Sequence, residues 1–292
     1  MKKYRKLFYF VLGLISVFVY FIGCHADFVA RKLTFHPAKY PIGNWDVVKG
    51  SAVYDVSEEV RFPNSRHQML VGRYFDYTKM VTGDTARGSV LYCHGNAGNI
   101  SHLTDWAFQL SRDLRCHVFV FDYAGYGKSE GEATASGILD DGRAARNWLA
   151  EHDGIPNDNV ILYGQSLGGS VAVDIAAKDG ARALIVESSF TSLGDMGQRL
   201  LPFLPVHWLL REQLASIDKI SQFHNPVFIS HGQADQTIPF SQGQRLFDAA
   251  NEPKTFYIPP PCYDYHSAPH CQEHRQQLRT LIDSPPIRNN VP

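Results

Sequence analysis

An excess of charge of either sign is missing from this chain. Its 28 Lys and Arg stand against 29 Asp and Glu, a formal net charge of −1. Nucleic-acid phosphates demand a basic surface, so the balance argues against nucleic acid as a partner. No segment repeats at a period of about 20 to 50 residues, which argues against a solenoid. The glycine patterns of dinucleotide-binding and P-loop folds are absent, and no cofactor is expected. H-E-x-x-H is absent too. At 292 residues the chain is long enough to bury a core without disulfide staples. What is present is ordinary globular material, 44% hydrophobic and 20% charged, too apolar for a disordered protein.

The amino end is different. Lys2, Lys3, Arg5 and Lys6 precede a run from Leu7 to Gly23, 17 residues with no charge. As a helix it reaches about 25 Å, close to the hydrocarbon thickness of a bilayer. The basic residues 1–6 should stay cytoplasmic, which places the rest of the chain on the other side. The run is long and bulky for a signal peptide, which favours an uncleaved anchor over 7–23. Cys24 after Phe-Ile-Gly resembles a bacterial lipobox, so a lipoprotein anchored at Cys24 is the alternative. Of the other cysteines, Cys262 and Cys271 flank a short His-bearing loop and can pair in an oxidising compartment. Cys93 and Cys116 lie in apolar runs and read as buried free thiols.

Residues 24–50 read as a linker and 51–283 as one domain, with 284–292 a tail. Two strands open the domain, at Ser51 to Phe62 and Gln68 to Tyr77. Short apolar strands then alternate with helices. Strands fall at Gly88–Cys93, His117–Phe121, Val160–Tyr163, Ala183–Val186, Pro226–Ser230 and Thr255–Ile258. Helices fall at Ile100–Asp113, Ile138–Glu151, Leu167–Lys178, Gln242–Ala250 and Ala268–Asp283. This alternation implies an α/β fold with a mostly parallel sheet, here of eight strands, covered on both faces. Functional residues in such sheets collect at the carboxyl ends of the strands. Residues 191–216 break the rhythm. Their dense apolar stretch with two prolines fits a small cap or acyl-binding wall, or a packed completion of the core.

Two stretches match G-x-S-x-G: Gly164-Gln165-Ser166-Leu167-Gly168 and Gly127-Lys128-Ser129-Glu130-Gly131. A nucleophile elbow needs a strand, a strained turn and a helix, with small residues where backbone segments approach. Ser166 has the strand VILY before it and SVAVDIAAK after it. Ser129 has no helix start behind it and reads as a turn residue. Ser166 is therefore the expected nucleophile. It needs a base oriented by a carboxylate, in the chain order Ser, acid, His. Asp235, just past the strand PVFIS, is the expected acid. His266, between the last strand and the last helix, is the expected base. His270 and His274 fall inside the helix and are badly placed to reach over the sheet. His94 reads as a structural imidazole bonding loop backbone. The backbone N–H groups of Leu167 and Asn96 are the expected oxyanion donors.

These motifs together resemble the α/β-hydrolase fold over about residues 50 to 283. HGNAGN at 94–99 resembles its oxyanion loop, FDYAGYGKSEG at 121–131 its strand-four loop, GQSLGG at 164–169 its elbow and HGQADQTIP at 231–239 its acid loop. Within that superfamily the chain is similar to membrane-anchored abhydrolase-domain serine hydrolases, often described as lysophospholipases or acyl-protein thioesterases. LTFHPAKYP after the anchor and the stretch beginning ESSFTSL carry the same likeness. One departure stands out: the family's His is often in Gly-His-Asn/Asp, whereas here it is Tyr265-His266-Ser267. The resemblance implies cleavage of an acyl ester or thioester through a covalent acyl-enzyme. Three rivals stand beside it. A peptidase or amidase is possible on the same fold, but the chain has no room for an added propeller. A non-catalytic scaffold would not need all three triad positions filled. A zinc site could use His266, His270 and His274 with Cys262 and Cys271, but Pro269 starts the helix and takes His266 off its face, so no metal is expected.

Overall fold

The computed structural model describes residues 31–46, 52–200, 202, 214–260 and 272–284, with isolated positions 5, 9 and 13. Apart from Tyr9 and Gly13, the expected anchor at 7–23 lies outside the described residues, as do Cys24, the Cys262–Cys271 pair and His266. Among the described residues no helix is long and apolar enough to cross a membrane.

Eight strands form one sheet: β2 (Ser57–Pro63), β3 (Met69–Phe75), β4 (Ser89–Cys93), β6 (His117–Asp122), β7 (Ile161–Gln165), β8 (Ala183–Glu187), β9 (Val227–Ser230) and β10 (Lys254–Tyr257). Their order is β10-β9-β8-β7-β4-β6-β3-β2. β2 pairs antiparallel with β3, and β3 with β6; every other pairing is parallel. Parallel neighbours need crossovers, and helices supply them. These are α3 (Thr104–Leu114), α4 (Ala135–Asp153), α5 (Leu167–Asp179), α6 (Leu193–Leu200) and α7 (Phe240–Ala249); α8 (Gln272–Asp283) follows the last strand, and two short helices, α1 (Ala52–Val56) and α2 (Tyr77–Met80), come before them.

Strand residues alternate between the two faces as the pleat requires. Leu91, Phe119, Leu162 and Leu184 pack on one side with Leu149 of α4, Val171 of α5 and Leu246 of α7. Val90, Val118, Ile161 and Ile185 pack on the other with Leu110 of α3 and Leu278 of α8. Both faces are covered, so the strands need no polar side. Cys93 and Cys116 are buried free thiols, as the apolar runs around them imply.

Two stretches differ from expectation. Ser51 to Phe62 is not one strand. Ala52–Val56 is a short helix, because Ser57 Oγ donates to Val53 O (2.7 Å) and Asp76 N donates to Val56 O (2.9 Å), turning the chain before β2. Within the expected linker, a two-residue strand β1 (His36–Pro37) pairs in parallel with β5 (Ala97–Gly98), so residues 31–46 pack on the domain. Of the stretch 191–216, residues 191–200, 202 and 214–216 are described, and Met196 of α6 packs on the core.

α5 is pinned by charge as well as by packing. Asp174, its side chain fully buried, accepts from Arg143 of α4 (2.7 Å) and from Lys219 (2.6 Å), with Lys178 at 3.0 Å. Burial opposes its charge, but the hydrogen bonds from Lys219, Arg143 and Lys178 outweigh it and hold the carboxyl below the usual aspartate range. A carboxyl lowered in the folded state adds stability that is complete above its unfolded pKa near 4 and is lost as pH falls through the folded value. Asp174→Ala should therefore cost about 2–3 kcal/mol at pH 7 in urea unfolding. The gap between variant and parent should close as the unfolding is repeated at successively lower pH below about 4.

Candidate active site

The elbow begins at the carboxyl end of β7. Ser166 sits between β7 and α5 at φ +53°, ψ −118°, a conformation that L-residues rarely adopt. Three backbone bonds hold it there. Ser166 N donates to Glu187 O (2.9 Å), and Ser166 O accepts from Gly169 N (3.0 Å) and from the Ser189 hydroxyl (2.8 Å). Glycine is required twice nearby. A Cβ on Gly168 would lie 1.9 Å from Cys93 O, and one on Gly164 would lie 2.3 Å from Gly168 O. Only bare backbone lets α5 come this close to β4 and β7. Leu167 opens α5, so its N–H belongs to the first helical turn, where the helix itself offers no acceptor. The helix dipole favours negative charge at the same point.

The loop after β4 lies against this turn. A Cβ built on Gly95 would stand 3.6 Å from Ser166 Cβ. Asn96 follows, half-buried, its carbonyl accepting from the Tyr126 hydroxyl (2.7 Å). His94 holds the loop from beneath: Nδ1 bonds Gly95 O (2.7 Å), and its carbonyl accepts from the Tyr123 hydroxyl (3.0 Å). Burial pushes the His94 imidazole down to about 4, so it is uncharged at neutral pH, and pushes the facing Asp122 carboxyl well above its usual range. His94 is thus the structural imidazole that its place in the sequence implied.

Asp235 lies beyond β9. Its Oδ1 accepts from Thr237 N (2.8 Å) and Ile238 N (2.9 Å), and its side chain is 3% exposed. His231, fully buried, steadies the same loop by bonding Ile238 O through Nε2 (2.9 Å). One row of paired residues crosses the sheet at its carboxyl edge: Gln165, Glu187, Ser230, Tyr257. Ser166 follows the first of these directly, and Asp235 stands five residues past Ser230. His266, nine residues past Tyr257, is outside the described residues. The structure brings Ser166, Leu167, Asn96 and Asp235 to this one edge.

Ser129 is elsewhere and occupied. Its hydroxyl donates to Asp122 O (2.8 Å) and accepts from Val71 N (2.9 Å), joining β6 to β3. Gly-x-Ser-x-Gly occurs there because a tight turn also wants glycine and serine.

Two further residues were given no part in the site from the sequence. Glu187, at the end of β8, and His274, on α8, are both buried, with His274 Nε2 2.8 Å from Glu187 Oε1. The imidazole lies between Phe228 (5.4 Å) and Tyr257 (5.1 Å). The pair ties the last helix to the strand whose carbonyl holds Ser166. A signal existed: His274, Leu278, Leu281 and Ile282 share a helical spacing, and all four are buried.

A strained serine between strand and helix, at the carboxyl edge of a doubly covered parallel sheet, defines the α/β-hydrolase class. The sequence model of the alpha/beta hydrolase family matches residues 90–286, and the chain belongs to that family. An uncharacterized Mycobacterium tuberculosis protein is 34% identical over 230 residues, covering 79% of this chain and 78% of that one. Human alpha/beta hydrolase domain-containing protein 17B is 36% identical over 168 residues, 58% of this chain and 57% of that one. Among solved structures, an esterase of Pyrococcus furiosus superposes with a TM-score of 0.65 over 85% of this chain and 96% of that one, at 16% identity, a likeness of fold.

Replacing Ser129 with Ala removes two buried bonds and should cost about 1–2 kcal/mol. Turnover of a p-nitrophenyl ester by the folded variant should match the parent, measured as kcat.

Proposed function

We propose that this hydrolase cleaves carboxylic esters or thioesters with acyl, lipid-like substrates, using Ser166 as nucleophile. The observation that carries the reading is the strained Ser166 turn, with the Gly95–Asn96 loop against it and a helix start behind it. Strain of this kind costs about 1–3 kcal/mol and persists where the surroundings enforce it. Asp235 supports the acid role by position. β7 and β9 lie two strands apart, about 10 Å, a gap that one imidazole can bridge between hydroxyl and carboxylate. His266 is the imidazole in this reading, by its place after β10.

In the mechanism, His266 takes the proton of the Ser166 hydroxyl as its oxygen attacks the substrate carbonyl carbon. The N–H groups of Asn96 and Leu167 bind the oxyanion that forms. The carbon–oxygen or carbon–sulfur bond then breaks. The departing alcohol or thiol leaves with the proton held by His266, and an acyl-Ser166 ester remains. Water gives a proton to His266 and attacks that ester, and the acid departs as Ser166 recovers its proton. Asp235 keeps the imidazole in the required tautomer and stabilises its charged form.

An acyl substrate at a membrane suits the apolar run at 7–23 and the apolar stretch within 191–216. In this proposal the run anchors the chain with its amino end cytoplasmic and the hydrolase domain outside, the lipoprotein form at Cys24 being the variant of the same tether.

Ser166→Ala should lower kcat on a p-nitrophenyl acyl ester by about 10⁴-fold or more with no loss of folding by circular dichroism. Turnover that survives the substitution refutes the nucleophile. A chain-length series on the parent should peak at a long acyl chain; a preference for acetate contradicts the lipid-like substrate.

A further inference from the structure

The segment that leads into the domain is built into the loop beside Ser166. The Asn96 carbonyl accepts from His36 N (2.9 Å), and the Asn96 side-chain amide donates to Thr34 O (3.0 Å). Two residues on, Gly98 O accepts from Ala38 N (3.0 Å), in the register His36↔Ala97 and Pro37↔Gly98. One N–H of the Asn96 side-chain amide is therefore engaged by the arm, next to the peptide whose backbone N–H is read as the oxyanion donor.

A two-residue strand pair is too short to hold itself. The arm is clamped by other groups. Asn99, buried, donates from Nδ2 to Ala38 O and to Ile42 O, both at 2.8 Å. Asn44 N donates to Ser101 Oγ (2.9 Å). Tyr40 N donates to Gly127 O (2.9 Å). Trp45 donates its indole N–H to Ile42 O (2.9 Å), meets Tyr40 edge-on at 5.9 Å and carries the Lys128 ammonium 4.7 Å from its ring centre.

We propose that the arm of residues 33–45 is a working part of the oxyanion site, with Asn99, Trp45 and the His36 backbone as positioning groups that fix the Asn96 peptide beside Ser166. The proposal rests on the reading of Ser166 as nucleophile and Asn96 as oxyanion donor. Its physical basis is geometric. An oxyanion donor is worth about 10²- to 10³-fold in rate, and a displacement near 1 Å forfeits much of that. Loosening the arm leaves substrate binding alone and weakens the hold on the transition state.

The test uses the full chain with Trp45→Ala, Trp45→Phe and Asn99→Ala. Each is assayed for kcat and KM on a p-nitrophenyl ester. Each is also titrated with a trifluoromethyl ketone, which forms an oxyanionic hemiketal on serine, and with the corresponding alcohol, which does not. Trp45→Ala and Asn99→Ala should lose about tenfold in kcat with KM held within about twofold. Ketone affinity should fall by the same factor as kcat, while alcohol affinity holds. Trp45→Phe keeps a ring against Tyr40 and Lys128 and should retain most of kcat. Asn99 also caps the turn at 100–103, so if that variant does not fold, Trp45→Ala decides alone. A folded Trp45→Ala with parental kcat and ketone affinity overturns the proposal, as does a loss shared equally by ketone and alcohol. A parent that ignores the ketone and keeps turnover as Ser166→Ala fails one step earlier, at the nucleophile itself, and takes this proposal with it.

Discussion

The carboxyl edge of the sheet depends on how closely α5 crosses β4. At Gly168 no side chain fits, because a Cβ there would lie 1.9 Å from Cys93 O. That approach sets the helix start under Ser166 and forces the serine to φ +53°. The same approach brings the Gly95–Asn96 loop, which continues from β4, alongside the serine. A helix docked even slightly higher would relax the turn and part the two loops. Strain at one residue and contact between two loops are thus one constraint seen from two sides, and close packing of bare backbone enforces both.

Around this edge the polar groups are buried in ways that resist movement. The Glu187–His274 pair joins the last helix to β8, and the Glu187 carbonyl is itself a partner of Ser166 N. Asp174 with Arg143, Lys178 and Lys219 fixes the far side of α5. His94, its imidazole held neutral by burial, sits with the buried Asp122 beneath the loop of Asn96. On the outer side the arm of residues 33–45 closes against the same loop. An active site of this kind needs rigid supports, because the donors it offers must already be in place when charge develops.

Most of the architecture was legible because the strands are short, apolar and separated by helical spacing. The elbow was legible for a sharper reason: Ser166 had a strand before it and a small-residue helix after it, whereas Ser129 had no helix start behind it. Three things were not. Ala52–Val56 carries valines and a tyrosine that suit a strand, and the bonds that make it helical come from Ser57 and Asp76 within the folded domain. The arm looked like a linker because its bonds are made by backbone and by Asn99, sixty residues away, and neither leaves a hydrophobic period. His274 was set aside as a helical residue that could not reach over the sheet. It reaches under the sheet's edge instead, to Glu187, and only the spacing it shares with Leu278 and Ile282 hinted at burial. Asp235 was picked out by its place after the strand PVFIS, and its two bonds to Thr237 and Ile238 come from the turn that follows.

The central claim is that Ser166, out of all the serines in the chain, is the activated one. The most direct measurement treats the full chain with a fluorophosphonate and maps the modified residue by tandem mass spectrometry. The account predicts a single adduct on Ser166, formed by the folded protein and absent after denaturation. An adduct on another serine, or a folded protein that takes up no label, would contradict it.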